Sequence, residues 1–454
     1  MRDLAFVAFL VALFGFGLKR PFVFVLAYAY IDIVSPQRLS YYLLNVVPIS
    51  QIFFIAALIG WLIADNKAGT RVSARQIMLT LLLAWAGITT LNADFPIEAY
   101  EKWNWVWKGL VFAIFLPFTL RTRLRMEALL LVMILSAASI IITGGIKTLA
   151  SGGGYGVLHL GVDNNSGLYE SSIISILAIA IIPLILYLRR FGTIFPPDWR
   201  VNAFAGALIF ACLLMPIGTE ARTGLVCVAA LAFIMLRDVK RRLIYLGAAG
   251  FLALVSVPFL PSSFTQRMDT IQGYKGDESA STRIAVWQWT WEYVQDNPLG
   301  GGFEAYLQNR LKFDTVATQS TGNTATVVTG TQTDIARAYH SSYFEMLGEQ
   351  GWPGFLLWIA LHAIGLVRME VLRRRYRREE GEYGWIGRFA TAMQVAHIIY
   401  LVGSLFVGIA FQSFVYMWMG LQIGLENHCR NLRRAEGGTG WQSPAARPAA
   451  QPAR

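Results

Sequence analysis

The sequence predicts an all-α, polytopic membrane protein, and three observations support that fold class. Of 454 residues, 55% are hydrophobic and only 15% charged, whereas soluble domains carry about 25% charged residues. Apolar runs recur along the chain, as repeated crossings of a bilayer require. Lysine and arginine gather on alternate connections between those runs, which leaves one side of a membrane basic. The net charge of +11 therefore reads as charge on cytoplasmic loops and not as a nucleic-acid surface.

In order, the apolar segments are Leu4–Leu18, Phe22–Val34, Ile49–Ala64, Ile77–Leu91, Trp103–Leu120, Met126–Thr143, Ser171–Leu188, Val201–Ile217, Thr223–Leu236, Leu243–Leu260, Gly351–Val367, Phe389–Ile409 and Phe411–Leu425. A crossing takes about 20 helical residues, fewer where the bilayer thins, so twelve or thirteen spans are expected. The first two segments are short enough to form a shallow hairpin instead. No small-residue cleavage site precedes Lys19 and Arg20, so the first run is read as retained.

The basic clusters are Lys67/Arg71/Arg75, Arg121/Arg123/Arg125, Arg189/Arg190/Arg200, Arg237/Lys240/Arg241/Arg242, the dense run from Arg368 to Arg388, and Arg430/Arg433/Arg434. They mark the cytoplasmic side. Ser35–Pro48, Asn92–Lys102, Gly144–Glu170, Gly218–Arg222, Pro261–Gln350 and the turn at Ala410 then face outward. The expected organisation is N-terminal helices over 1–200, core helices over 201–260, an outer loop region over 261–350, C-terminal helices over 351–428 and a disordered tail over 429–454. Cys212, Cys227 and Cys429 are too few and scattered for a disulfide framework.

The outer segment Pro261–Gln350 is the one non-membrane stretch large enough to hold chemistry. Ser279–Asp296 has helical spacing, with Ile284, Trp287, Trp291 and Val294 on one face, as expected of a helix at the membrane interface. Asn297–Gly302 (NPLGGG) breaks it. Phe313–Thr333, rich in threonine, reads as a flexible loop or lid. Arg337–Glu349 resumes helical character and leads into the next span, where Pro353 is tolerated in a first turn.

His340 stands out among the five histidines. It lies just above the membrane plane among Tyr339, Ser341, Ser342 and Tyr343, where a neutral imidazole can take a proton from a hydroxyl. The bland alternative is an idle histidine at a helix start. His362 and His397 sit inside spans and read as packing residues.

Arg222, in Gly218–Gly224 (GTEARTG), is an arginine on the outer side, against the trend. It either snorkels to headgroups and pairs with Glu220, or clamps a phosphate whose oxygens match the guanidinium fork. Arg283 opens the tryptophan-bearing helix and is an interfacial arginine or a second clamp. Lys102, Lys108, Arg310 and Arg337 are weaker candidates of the same kind. Glu345 and the other outer acids read as structural, since no spacing pairs two of them. Gly152–Gly156 (GGGYG) lacks the lysine of a P-loop, and no His/Cys cluster or HExxH suggests a metal.

Together, His340–Ser341, nine residues, Gly351, two residues and Gly354 resemble the signature of the bacterial O-antigen ligase family. Arg222 before Thr-Gly resembles a family position, as does Arg283 upstream of Trp287 and Asn297–Gly302. The N-terminal part, with Lys19-Arg20-Pro21-Phe22 and Ser35 to Leu39, looks like the O-glycosylation ligases associated with exosortase A exopolysaccharide loci.

The resemblance implies a GT-C-like, inverting glycosyltransferase of the inner membrane that needs no cofactor or metal. Its donor is an undecaprenyl-diphosphate-linked glycan presented on the periplasmic side, and its acceptor a glycan, lipid or protein hydroxyl. His340 is then the base, and Arg222 and Arg283 hold the diphosphate. Ser341 and Tyr343 line the substrate path, and Gly351 and Gly354 are structural. A polysaccharide polymerase and a protein O-oligosaccharyltransferase share these features. A flippase predicts polar residues at mid-span on several helices, and Gln394 and Gln412 are the main ones in the sequence. A plain membrane scaffold has no need of the long outer loop.

Overall fold

The structure, a computed structural model, describes residues 2–67, 69–153, 167–238, 247, 278–321 and 324–435. Its helices are α1 (Arg2–Lys19), α2 (Phe22–Val34), α3 (Pro36–Leu39), α4 (Ile49–Ala64), α5 (Ala74–Leu91), α6 (Pro96–Thr119), α7 (Arg123–Ser151), α8 (Ser171–Phe191), α9 (Trp199–Gly218), α10 (Arg222–Met235), α11 (Glu278–Asp296), α12 (Ser342–Tyr376), α13 (Gly384–Gly403) and α14 (Ser413–Ala435). Strands β1 (Arg310–Thr321) and β2 (Thr324–Ile335) lie between α11 and α12.

The protein is an all-α polytopic membrane protein. Among the described residues, six helices are long and apolar enough to cross a membrane, and three shorter ones are also apolar. Twelve of the thirteen apolar segments read from the sequence fall on helices; Leu243–Leu260 lies outside the described residues. Polar side chains set several starts. Ser73 and Gln76 close a capping box on α5, and Thr122, Glu170 and Asp198 cap α7, α8 and α9.

Among the described residues, basic side chains of α5, α7, α12, α13 and α14 gather at one end of the bundle. Asp65 receives Arg125 through both oxygens, each at 2.7 Å. Arg75 pairs with Glu426 at 3.1 Å, and His428 Nδ1 lies 3.1 Å from the Arg121 carbonyl. Arg388 stacks over Phe191 and Arg123 over Trp385.

Four expectations need correction. Helix α7 runs on to Ser151, so the connection expected from Gly144 begins later. Phe313–Thr333 is not a loop: it lies within an antiparallel ribbon in which Arg310 pairs with Ile335 and Thr321 with Thr324. Its threonines and valines are β-branched and favour extended backbone. In α11 the buried stripe is Thr282, Val286, Thr290 and Val294, four residues apart, whereas Ile284 and Trp291 are about half exposed. The two threonines escape a purely hydrophobic reading, and Thr290 satisfies its hydroxyl on the Val286 carbonyl at 2.7 Å. Finally, the bundle interior is more polar than expected. His362 Nδ1 and His397 Nε2 are 2.6 Å apart, Gln422 Nε2 and His397 Nδ1 are 3.0 Å apart, and Arg75 reaches Gln422 at 2.8 Å. Gln412 instead lies in the turn between α13 and α14.

Helix α12 is broken at Gly351, whose φ of 61° and ψ of −169° are non-helical. A break frees backbone groups that need partners. The turn after α11 supplies them. Gly301 N–H donates to Gly348 O at 3.0 Å, Gly302 N–H to Glu349 O at 2.9 Å, and Trp352 N–H to Pro298 O at 2.9 Å. Trp85 Nε1 takes the Gln350 carbonyl at 2.8 Å. The two chains touch backbone to backbone, and a Cβ on Gly351 would lie 2.3 Å from Leu299 C and 2.4 Å from Pro298 O.

Gly351→Ala is therefore expected to lose about 3 kcal/mol or more, from strain and overlap together. Thermal unfolding of the purified variant tests this; a melting temperature equal to that of the parent contradicts it.

Candidate active site

His340 closes the short connection from β2 to α12. Ala336 and His340 both have left-handed backbone, with φ of 58° and 47°, so the strand turns sharply into the helix. Asn309 clamps this connection. It is fully buried, its side chain donates to the Arg337 carbonyl at 2.7 Å and accepts the Arg337 N–H at 2.9 Å, and its carbonyl accepts the Ala336 N–H at 3.1 Å. From α11, Trp287 donates its indole N–H to the Tyr339 carbonyl at 2.9 Å and stacks on Phe344, centroids 5.0 Å apart. Tyr339 and Ser341 point inward, at 3% and 1% exposure. His340 between them faces outward.

The electrostatic setting of His340 is basic. Protein packed around the ring, and next the charges of Arg283 and Arg337, hold its pKa below the ordinary 6.5. The shift favours the neutral ring, which is the form able to accept a proton. This also puts Arg283 within electrostatic reach of His340. Arg283 lies in the second turn of α11, because the helix starts at Glu278 rather than at Arg283.

Arg222 is the first residue of α10 and half-buried. The turn before it is tight. Thr219 hydrogen-bonds Ser175 of α8 at 2.7 Å, Ala221 N–H donates to Pro216 O at 3.1 Å, and Gly224 packs where a Cβ would lie 2.7 Å from Pro216 Cγ. Cys227, one turn further on, contacts the Ile399 carbonyl of α13 at 3.7 Å. The end of α13 in turn accepts Ser342 N–H on Ser404 O at 2.8 Å. Arg222 therefore occupies the same end of the bundle as His340, with α13 between them.

Ser341, Tyr343 and Gly354 make contacts within the bundle. Ser341 is the N-cap residue of α12. Tyr343 turns into the bundle, with its hydroxyl 3.4 Å from the Leu401 carbonyl and its ring edge-on to Trp358. Ser342, not singled out from the sequence, donates to Val407 O and accepts from Ile409 N–H, both at 2.9 Å, and so fastens α12 to the turn before α14. Gly354 gives way to Trp85, whose Cδ1 would be 3.0 Å from an added Cβ. His159 lies outside the described residues.

Sequence reasoning missed a buried ion cluster on the helix that follows His340. Lys102 of α6, named as a weak phosphate candidate, is instead committed inside the protein. Its Nζ lies 2.8 Å from Glu345, 2.8 Å from Glu349 and 3.4 Å from Glu304. Glu349 is 0% exposed and also accepts Glu304 N–H at 3.1 Å. Glu345 accepts Ala410 N–H at 3.0 Å. The outer acids are thus paired after all: Glu345 and Glu349 are four residues apart on one helical face, a spacing visible in the sequence. Glu304, on a loop, left no such signal.

His340, Arg222, Arg283, Ser341, Tyr343, Gly351 and Gly354 fall in one region of similarity, while Lys102 and Lys108 lie before it. Residues 207–359 match the O-Antigen ligase family model. The match supports a membrane ligase role and suggests a glycan-transferring enzyme. Ahead of this ligase region, residues 1–193 match a family of unknown function (DUF5935). No curated protein matches the chain. The ligase match runs from α9 through the tight turn at Arg222, α11 and the His340 connection to the first turns after Gly351.

Two predictions follow from the geometry. Removing the Lys102 charge strands buried carboxylates, so Lys102→Met is expected to destabilise by about 3–5 kcal/mol; an unchanged unfolding midpoint contradicts this. Arg337→Gln removes one of the charges that disfavour the imidazolium, so the His340 pKa is expected to rise towards 6.5. NMR titration of histidine-labelled protein measures it, and a resonance that titrates as in the parent counts against the electrostatic account.

Proposed function

We propose that the chain transfers a glycan from a polyprenyl-diphosphate donor, such as undecaprenyl diphosphate, to an acceptor hydroxyl. One observation carries the reading: an outward-facing histidine within electrostatic reach of Arg283, at the end of the bundle that also bears Arg222. His340 takes the proton of the acceptor hydroxyl as its oxygen attacks the anomeric carbon. The bond from that carbon to the diphosphate oxygen breaks, with inversion, and the leaving diphosphate keeps the electron pair. Arg222 and Arg283 hold that anion and stabilise its growing charge.

The diphosphate is already an activated leaving group, so the reading involves no metal and no nucleotide. The acceptor belongs to a lipid, a protein or a growing glycan. By the positive-inside rule, the end with the basic clusters faces the cytoplasm. The His340 end then faces the periplasm, at the headgroup level of the inner membrane. The half-exposed Ile284 and Trp291 of α11 suit that depth.

His340→Ala and Arg222→Ala are each expected to abolish glycan transfer, assayed in EDTA by gel mobility of the glycosylated acceptor, while membrane abundance stays unchanged. Full transfer by both variants would falsify the assignment. Transfer by the parent only when a divalent cation is restored would overturn the metal-free mechanism.

A further inference from the structure

At the opposite end of the bundle from His340 there is a cavity of about 430 Å³ between α5, α12 and α14. Two kinds of wall enclose it. Arg75, Arg368 and Arg430 are basic, against the single acid Glu426, while Ala363, Ile364 and Val367 are aliphatic. A smaller adjoining pocket shares Arg368, Glu426 and Arg430 and adds Arg375 and Arg433. Arginines at the basic end of a membrane protein are ordinary. Three features here are not.

Arg75 is a buried arginine, its side chain 3% exposed. It is held in place by Glu426 at 3.1 Å and Gln422 at 2.8 Å. Gly365 makes room for it: a Cβ there would lie 2.7 Å from Arg75 Nη2. Yet the Arg75 Nε–H has no hydrogen-bond partner among the described residues. A buried donor left in that state costs about 1–3 kcal/mol. The aliphatic wall is also not sealed, since Val367 is 61% exposed on a helix that the composition reads as facing a bilayer. Together these features define a site with an anion-binding head and an apolar flank.

We propose that this cavity binds the phosphate of an anionic membrane lipid, with Arg75, Arg368 and Arg430 on the headgroup and Ala363, Ile364 and Val367 along the first acyl carbons. Basic pockets between helices on the cytoplasmic side suit such headgroups. Arg75 is also one end of the buried line through Gln422 to His397 and His362, so an occupied site ties α5, α12, α13 and α14 together. The site is separate from the glycan-transfer reading and stands or falls without it.

Native mass spectrometry of the full chain, with phosphatidylglycerol, cardiolipin or phosphatidylcholine supplied at equal mole fraction, tests the proposal. The expected result is retention of the anionic lipids over phosphatidylcholine. In Arg368→Gln/Arg430→Gln, retention should fall roughly thirtyfold, each charge contributing about fivefold, and Arg368→Lys/Arg430→Lys should restore part of it. Equal retention of all three lipids by the parent overturns the site even if the glutamine variant fails to fold. If inorganic pyrophosphate raises the parent's melting temperature and the anionic lipids do not, the ligand is a free phosphate and the lipid assignment fails.

Discussion

The break in α12 at Gly351 is the constraint on which the outer half of this protein depends. A helix interrupted inside a membrane protein must satisfy its freed backbone locally, because no water is at hand. Here the turn Pro298–Gly302 does so, by donating to Gly348 and Glu349 and accepting from Trp352. Gly351 and Gly300, both at positive φ, permit the approach, and any side chain at either would run into the other chain. Three backbone hydrogen bonds at about 1 kcal/mol each matter less here than register. They fix where α11 ends relative to α12, and hence where Arg283 lies relative to His340.

A second constraint acts on the same short helical piece, residues 342–350. Its inward face carries Glu345 and Glu349, locked to Lys102 of α6. Its first residue, Ser342, is bonded to the turn before α14. Its last, Gln350, is bonded to Trp85 and Thr89 of α5. A buried ion cluster adds little net stability but penalises misplacement heavily, since any carboxylate displaced from the lysine is a bare buried charge. The cluster therefore specifies position. It anchors the helix that His340 precedes, while the imidazole itself stays free to meet a ligand.

The helices and the gathering of basic loops were legible because hydropathy and the arginine distribution are additive along the chain. Gly351 and Gly354 were legible as a spacing, but not as a break filled by Asn297–Gly302, because that contact joins stretches about fifty residues apart. The ribbon from Arg310 to Ile335 was hidden for another reason. A threonine-rich run without a hydrophobic alternation reads as loop, and only the β-branched propensity of its residues argued otherwise. Glu345 and Glu349 were visible as a helical pair, yet Lys102 and Glu304 come from elsewhere in the chain. The buried stripe of α11 was misread because Thr282 and Thr290 bury as well as valine once their hydroxyls have a partner nearby.

The polar interior bears on what kind of membrane protein this is. Arg75, Gln422, His397 and His362 lie inside the bundle, and a broken helix with polar neighbours is also how many transporters bind a substrate at mid-membrane. The two arrangements differ in where the freed groups point. In a transporter, unwound carbonyls and half-helix ends face a water-filled cavity and coordinate the cargo. Here the carbonyls of Gly348, Glu349 and Gln350 are all occupied by Gly301, Gly302 and Trp85. The interior side chains hydrogen-bond one another, from Arg75 through Gln422 to the histidine pair. These side chains form one connected line, in which Arg75 Nε and His362 Nε2 have no partner among the described residues. The break in α12 thus shapes a ledge at one end of the bundle, filled by the turn Pro298–Gly302.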